Sequence, residues 1–148
     1  MGLEELYREV ILDHYRNPRN KGHLISPDAT AEGVNPLCGD EITIELNMSD
    51  GVVSDVAVAG QGCSISQSSA SMMSEAITGR SLEEALDLIE HFRQMMHGAE
   101  PGDEDRLGDA IALEGVAKYP VRVKCALLGW MAAKDAIQTY NATPNGGG

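Results

Sequence analysis

The stretch Asn35-Pro36-Leu37-Cys38-Gly39-Asp40 decides how this chain is organised, because it sets a thiol and a carboxylate on either side of one glycine. Two more cysteines, Cys63 and Cys125, lie far away in the sequence, each at the edge of a predicted element. Three thiols and one carboxylate make four ligands, the number that a tetrahedral zinc site takes. We therefore predict that Cys38, Asp40, Cys63 and Cys125 meet around a metal ion. The chain has no Cys-x-x-Cys pair, so spacing alone also allows three unrelated cysteines.

The residues after this stretch alternate with the period of a half-buried strand. Apolar residues at 42, 44, 46 and 48 are separated by polar ones, and a second strand is predicted over 52–59 after the turn Ser49-Asp50-Gly51. A weaker strand is predicted over 29–34. Because the turn folds the two strands back on each other, the loop with Cys38 and Asp40 and the loop with Cys63 should share one end of the sheet.

Helical periodicity accounts for most of the remaining chain. Helices are predicted over 3–15, from 64 to about 78, over 82–96, over 109–114 and from Pro120 onward. Ser81 and Glu84 have the spacing of a capping box at the start of the third of these helices. Residues 98–109 are acidic and rich in glycine, which indicates an exposed loop with at most a short helical turn. The tail over 142–148 ends in three glycines and is expected to fray.

Size and charge limit the classes of function. The chain has 148 residues, which predicts a single domain over 1–148, and 11 basic against 23 acidic residues give a formal charge of −12. A chain this acidic argues against nucleic acid and against an anionic membrane as partners. Three cysteines are too few for a disulfide framework, and no apolar run is long enough to span a membrane. We therefore expect a cytoplasmic protein in a reducing compartment.

The surroundings of the cysteines suggest how a metal would be held. Cys63 precedes a helix, whose unpaired N–H groups favour a thiolate; a small buried thiol would fit the same position equally well. Arg122 and Lys124 flank Cys125 and would offset the excess negative charge of three thiolates and a carboxylate on Zn²⁺, although a charged helix surface would explain both. The four histidines do not lie at ligand-like spacings from the cysteines, and His14 and His91 fall within predicted helices.

Four motifs spread over nearly the whole chain stand out together. They are Leu-Tyr-Arg-Glu-Val-Ile-Leu-Asp-His-Tyr-Arg-Asn-Pro-Arg at 6–19, Asn-Pro-Leu-Cys-Gly-Asp at 35–40, Gly-Gln-Gly-Cys-Ser-Ile-Ser-Gln-Ser-Ser-Ala-Ser at 60–71 and Arg-Val-Lys-Cys-Ala-Leu-Leu-Gly-Trp at 122–130. These motifs resemble those of the U-type iron–sulfur cluster assembly proteins, a family that groups SufU, IscU and the N-terminal part of NifU. Lys124 stands where the IscU branch has a histidine, and Lys118-Tyr119-Pro120-Val121-Arg122 stands where IscU has Leu-Pro-Pro-Val-Lys, so the chain is more similar to the SufU branch. The acidic segment 98–117 resembles the insertion of that branch.

The resemblance implies an α+β fold in which a small three-stranded antiparallel sheet packs against about five helices. It also implies zinc ligation by Cys38, Asp40, Cys63 and Cys125, and partnership with a cysteine desulfurase of the SufS type and with downstream Suf assembly proteins. In that branch the protein accepts sulfane sulfur from the desulfurase persulfide, and Cys38 is the implied acceptor.

The function expected from these observations is zinc-dependent sulfur transfer for iron–sulfur cluster assembly. The nearest alternative is a scaffold on which iron and sulfide build a [2Fe–2S] cluster on the same four ligands. Two further alternatives are a zinc-stabilised interaction module without transfer chemistry, and a metal-free thiol enzyme that uses Cys125 with a histidine base.

Overall fold

A three-stranded antiparallel sheet forms one layer of the protein, and helices cover one face of it. The computed structural model describes residues 3–100, 102 and 104–142. The strands β1 (Ala29–Asn35), β2 (Asp40–Ser49) and β3 (Val52–Gln61) lie in the order β1-β2-β3. The helices are α1 (Leu3–Arg16), α2 (Ser64–Ile77), α3 (Leu82–Met96), α4 (Glu104–Leu107), a 3-10 helix called η1 (Gly108–Lys118) and α5 (Pro120–Ala142).

The register of the sheet brings two loops to the same end. Asn35 on β1 pairs with Asp40 on β2, and Glu41 pairs with Gln61 on β3. The connection 36–39 and the residues that follow β3 therefore leave the sheet side by side, as the hairpin predicted. At the opposite end, Asp50 and Gly51 turn the chain with positive φ angles of 53° and 77°, a conformation in which Asn, Asp and Gly are favoured.

The core lies between the sheet and the long last helix. Ile42, Ile44 and Leu46 on β2 are buried on the face that α5 covers. Helix α5 approaches α2 closely at a point where both helices carry small residues. A Cβ on Gly129 would lie 2.9 Å from the Cβ of Ala70 on α2. The buried Trp130 stacks on Phe92 of α3, with ring centroids 4.0 Å apart. These contacts fix the start of α5 relative to the end of the sheet.

The predicted strands and the three long helices agree with the structure to within one or two residues, and the α+β, single-domain fold is confirmed. Ser81 caps α3 as expected, since its Oγ accepts the N–H of Glu84 at 3.1 Å. The short helix predicted over 109–114 lies within η1, and the short helical turn allowed in the acidic loop over 98–109 is α4. The loop itself is shorter than predicted, because residues 104–118 are helical. The tail beyond residue 142 lies outside the described residues.

The helical segment 104–118 has a period that amphipathic α-helices do not show. Four of its five buried apolar residues recur at every third position, whereas an α-helix places them at three and four. A 3-10 helix has three residues per turn, so this spacing puts those four on one face. The acidic and glycine-rich flanks concealed how far the segment is helical. The four are Leu107, Ala110, Leu113 and Val116, and Ala112 is the fifth buried residue.

Candidate metal centre

The predicted ligands come together at the end of the sheet where loop 36–39 and the start of α2 lie side by side. The sulfur of Cys38, the sulfur of Cys125 and a carboxylate oxygen of Asp40 all lie within 4.8 Å of one another. The Sγ of Cys63 lies 4.0 Å from Oδ2 of Asp40. A loop, β2 and α5 thus supply three donors that lie close together. Cys63, at the start of α2, lies beside Asp40 but is not part of that close group.

Asp40 is completely buried, and its two oxygens have different surroundings. Its Oδ1 accepts the backbone N–H of Cys63 at 2.8 Å and the hydroxyl of Ser66 at 3.1 Å. Its Oδ2 points toward the sulfur of Cys63. Because one oxygen is held by the protein, the other is oriented to act as a single ligand atom.

Cys63 occupies the N-cap position of α2. Its backbone is extended, with φ −70° and ψ 168°, and its sulfur accepts the N–H of Ser66 at 3.5 Å. The N-terminus of a helix carries a partial positive charge, which stabilises a nearby anion. The helix thus supports a thiolate in the position that the sequence predicted.

Cys125 lies in the second turn of α5 and is completely buried. Its sulfur is 3.3 Å from that of Cys38, and the side-chain amide of Asn35 donates to it at 3.8 Å. Burial raises the pKa of this thiol far above its usual range, and contacts with Cys38, Asp40 and Cys63 raise it further. A thiolate at this buried position therefore needs a cation beside it.

The donor set fits a divalent ion that prefers sulfur. All three cysteines are free, and two sulfurs bound to one tetrahedral zinc at about 2.3 Å lie about 3.8 Å apart, close to the observed 3.3 Å between Cys38 and Cys125. A divalent cation would balance the charge that holds the proton on Cys125 and would release that proton on binding. Zinc and iron both accept this combination of thiolate and carboxylate.

Cys38 is the one of the three cysteines that lies on a loop and not in a helix or at its cap. Cys38 and Cys63 are both partly exposed, and Cys38 follows Leu37, whose side chain is 79% exposed, and precedes Gly39 with φ 70°. Cys38 also lines a small cavity of about 130 Å³ together with Val121 and Lys124. Cys63 and Cys125, in contrast, are held by helices.

The cations predicted beside the site are both exposed. Lys124 shares the small cavity with Cys38, whereas the backbone N–H of Arg122 bonds to the carbonyl of Tyr119 at the start of α5. Their role in offsetting charge stays a prediction. None of the described polar partners of Cys125 is a histidine, so nothing in this geometry supports a histidine base for that thiol.

Two polar neighbours of the cluster were not singled out by sequence. Asn35 donates to the sulfur of Cys125, and Ser66 bonds to both Asp40 and Cys63. Both are buried polar side chains directly beside a cysteine loop. A serine three positions after an N-cap residue is the one sequence signal that would have pointed to Ser66.

The α+β domain gathers three thiols and a buried carboxylate at one end of its sheet, a donor set that could hold a metal ion. The chain belongs to the NifU-like N-terminal domain family, whose model matches residues 6–126. This confirms the resemblance to the U-type iron–sulfur cluster assembly proteins.

Several known proteins are similar over almost the full chain. The zinc-dependent sulfurtransferase SufU of Bacillus subtilis is 46% identical over 91% of this chain and 91% of its own. The iron–sulfur cluster assembly scaffold protein IscU of Streptococcus pyogenes is 43% identical, covering 92% of this chain and 85% of its own. A crystal structure from Fervidobacterium islandicum, described as an assembly scaffold for the SUF system, has a TM-score of 0.83 at 37% identity, covering 92% of this chain and 99% of that one.

The described part of the chain contains no helix that is both long and apolar enough to cross a membrane.

Proposed function

We propose that this protein is a zinc-dependent sulfur acceptor that takes persulfide sulfur from a cysteine desulfurase of the SufS type for iron–sulfur cluster assembly. Zinc would be held by Cys38, Asp40, Cys63 and Cys125, with Arg122 and Lys124 offsetting the charge of the ligands. The observation that carries the proposal is the contrast within the cluster: Cys38 sits on a partly exposed loop, while the other donors are anchored.

The chemistry follows from that contrast. Zinc, when bound, keeps the thiols deprotonated and protects them from oxidation. The thiolate of Cys38 attacks the outer sulfur of the desulfurase persulfide, so that a new sulfur–sulfur bond forms on Cys38. The old sulfur–sulfur bond breaks, and the desulfurase cysteine leaves as a thiolate. No external oxidant or reductant is required, because one persulfide replaces another.

The surface beside Cys38 suits a protein partner. Leu37 and Val121 line the same cavity as Cys38, and their side chains are 79% and 62% exposed. Tyr119, one turn away at the start of α5, is also 62% exposed. Large apolar side chains grouped at the surface mark interaction sites. We infer that the desulfurase docks here and that sulfur then passes to downstream Suf proteins.

The test is to incubate the zinc-loaded protein with a cysteine desulfurase and cysteine, and then to locate added sulfur by mass spectrometry of peptides. We expect one extra sulfur on the peptide that contains Cys38, and none after Cys38→Ser. Circular dichroism of the variant serves as the folding control. Sulfur found on Cys63 or Cys125 instead would move the acceptor role. If no cysteine gains sulfur, the protein is a zinc-stabilised interaction module without transfer chemistry.

A second candidate function is the cluster scaffold, with iron and sulfide as its cargo. Relatives named as scaffolds are also similar to this chain, but the sulfurtransferase relative has the higher identity, so the comparisons do not favour the scaffold. The observation behind it is the carboxylate of Asp40, an oxygen donor that would bind iron more weakly than a fourth sulfur. A protein isolated with visible absorbance from a bound [2Fe–2S] cluster would support it, whereas a colourless protein with one zinc supports sulfur transfer. Asp40→Ala should make a reconstituted cluster persist longer, because the labile oxygen ligand is removed.

A further inference from the structure

A second group of metal-ligating side chains lies at the other end of α2, away from the cysteines. His14 on α1, Glu75 on α2 and Asp109 in η1 place one ring nitrogen and two carboxylate oxygens within 4.8 Å of one another. Nε2 of His14 is 2.8 Å from Oδ2 of Asp109 and 3.6 Å from Oε1 of Glu75. Three elements that are distant in sequence supply these groups, so the fold itself assembles them.

His14 is oriented as metal-binding histidines are. Its side chain is completely buried, and its Nδ1 lies 2.8 Å from Oγ of Ser71 on α2. Histidine ligands usually donate their second ring N–H to a fixed acceptor, which sets the ring orientation. A hydroxyl both donates and accepts, so Ser71 matches either form of the ring. In the tautomer with the proton on Nε2, that N–H bonds to Asp109; in the other, Nδ1–H bonds to Ser71 and Nε2 is free to coordinate.

A cavity gives access to the two carboxylates. It has a volume of about 530 Å³, and both Glu75 and Asp109 line it, with side chains that are 47% and 53% exposed. There is thus space for water molecules to complete the coordination of an ion held by the protein on one side. His14 does not line the cavity itself; it reaches the two lining carboxylates from the buried side.

Other charges around the cavity have partners of their own. Arg80 pairs with Glu84 at 3.8 Å, and Arg106 pairs with Asp87 at 2.7 Å. Nε of Arg19 approaches Glu75 at 3.9 Å, but a terminal nitrogen of the same side chain bonds to Asp13 at 2.6 Å. Asp105 adds a further carboxylate to the lining. The balance near His14 therefore favours a cation.

We propose that His14, Glu75 and Asp109 form a second divalent-cation site, separate from the cysteine cluster. Glu75 follows Cys63 by twelve residues on α2, about 18 Å along the helix axis, so the two sites share no ligand. One imidazole and two carboxylates suit harder ions such as Mn²⁺ or Fe²⁺ better than the sulfur-rich cluster does. This inference does not depend on sulfur transfer.

Mn²⁺ is a suitable probe, because it is paramagnetic and competes poorly for thiolates. The full-length protein carrying one equivalent of zinc is titrated with Mn²⁺, and the bound ion is followed by electron paramagnetic resonance. We expect saturable binding of one Mn²⁺, with spin-echo modulation from a directly coordinated nitrogen. Removing a residue that only hydrogen-bonds to a metal ligand weakens metal affinity about 10–100-fold. Glu75→Gln removes a proposed ligand itself, so it should weaken Mn²⁺ binding at least about tenfold.

The matched control is Asp105→Asn, which removes a carboxylate from the same cavity but leaves the three ligands in place. We expect it to change Mn²⁺ affinity less than about twofold, since it acts only through long-range charge. Glu75→Gln keeps the bond between His14 and Asp109, and thermal melting verifies that the variant is folded. Loose, unsaturable Mn²⁺ binding, a spectrum with oxygen ligands only, or equal effects of the two variants would overturn the proposal.

Discussion

Gly62 packs so closely against Asp40 and Ser66 that the cysteine cluster has no room for a larger side chain at this position. A Cβ at this position would collide with Oδ1 of Asp40 and lie 2.6 Å from Oγ of Ser66. That oxygen is the one held by the backbone of Cys63 and by Ser66. The glycine therefore leaves room for the carboxylate to be oriented, and its role is separate from that of any ligand.

We predict that Gly62→Ala weakens zinc binding at least about tenfold, because the displaced Asp40 loses the hydrogen bonds that orient it. Competition with a chromogenic chelator measures the affinity. Gly115→Ala is the control, since a Cβ there would meet nothing within 4 Å, and its affinity should equal that of the wild type. An unchanged affinity in Gly62→Ala would show that the carboxylate does not need this orientation.

At the scale of residues, sequence reasoning succeeded where a short-range pattern was enough. The alternation over 42–48 and the turn at 49–51 predict that Cys38, Asp40 and Cys63 lie at one end of the sheet. The structure places them there. It did not identify Asn35 or Asp109 as partners of Cys125 and His14. Those contacts depend on how α1, η1 and α5 pack, and a single sequence does not encode that packing locally.

Glu45 on β2 ties the irregular segment after α1 to the sheet. Its Oε1 accepts the backbone N–H of Leu24 at 2.7 Å, and its Oε2 lies 3.2 Å from Nδ1 of His23. The hydrogen bond from Leu24 lowers the pKa of this carboxyl below its usual value, with a smaller contribution from His23. Its side chain is 13% exposed, so solvent screens these contacts only partly.

The pKa of Glu45 is lower in the folded state than in the unfolded state. The ionised carboxylate therefore contributes its full stabilisation above the ordinary carboxyl pKa of about 4.3. That stabilisation is lost as the pH falls through the folded-state pKa. We predict that Glu45→Gln reduces the free energy of unfolding by about 1 kcal/mol at pH 7, the difference between a charged and a neutral hydrogen bond. Urea unfolding at pH 7 and pH 3 measures this, and the difference should be smaller at the lower pH.

The exposed Glu32 on β1 offers a matched control for this pH dependence. Glu32→Gln should follow the wild type at both pH values. A deficit in Glu45→Gln that persists in full at pH 3 would mean that the substitution acts through packing and not through charge. At the scale of elements, this comparison isolates the attachment of one loop to one strand.

The helical segment 104–118 is the element whose length sequence reasoning underestimated, and the reason is physical. Aspartate and glycine have low helix propensity, and the apolar spacing of three does not match an α-helix. Burial of Leu107 and Leu113 against the other helices overrides these local preferences. Long helices with the usual spacing, such as α3, were predicted correctly because local and tertiary preferences agree there.

At the scale of the whole molecule, a metal at the cysteine cluster would join a loop, β2, α2 and α5. An ion that binds only the folded state stabilises it by mass action, by about 2.7 kcal/mol when the free ion is at 100 times its dissociation constant. For a domain of this size that corresponds to a rise of about 5–10 °C in melting temperature. We predict a loss of this size when a strong chelator removes zinc.

Differential scanning calorimetry with and without chelator, at one protein concentration, measures the effect. Asp40→Ala is the control, because a weakened site should show a smaller shift on chelation. Equal melting temperatures with and without zinc in the wild-type protein would mean that the cluster contributes nothing to stability when it is loaded.

Trp130 is the only tryptophan of the chain, and its position turns it into an internal optical probe. It is completely buried, lies five residues after Cys125 on the same helix, stacks on Phe92 and donates its indole N–H to Ser69 of α2 at 2.9 Å. Its emission therefore reports the seam between α2 and α5, the two helices that carry Cys63 and Cys125. Events at the cysteines can be followed by intrinsic fluorescence, without attaching a dye.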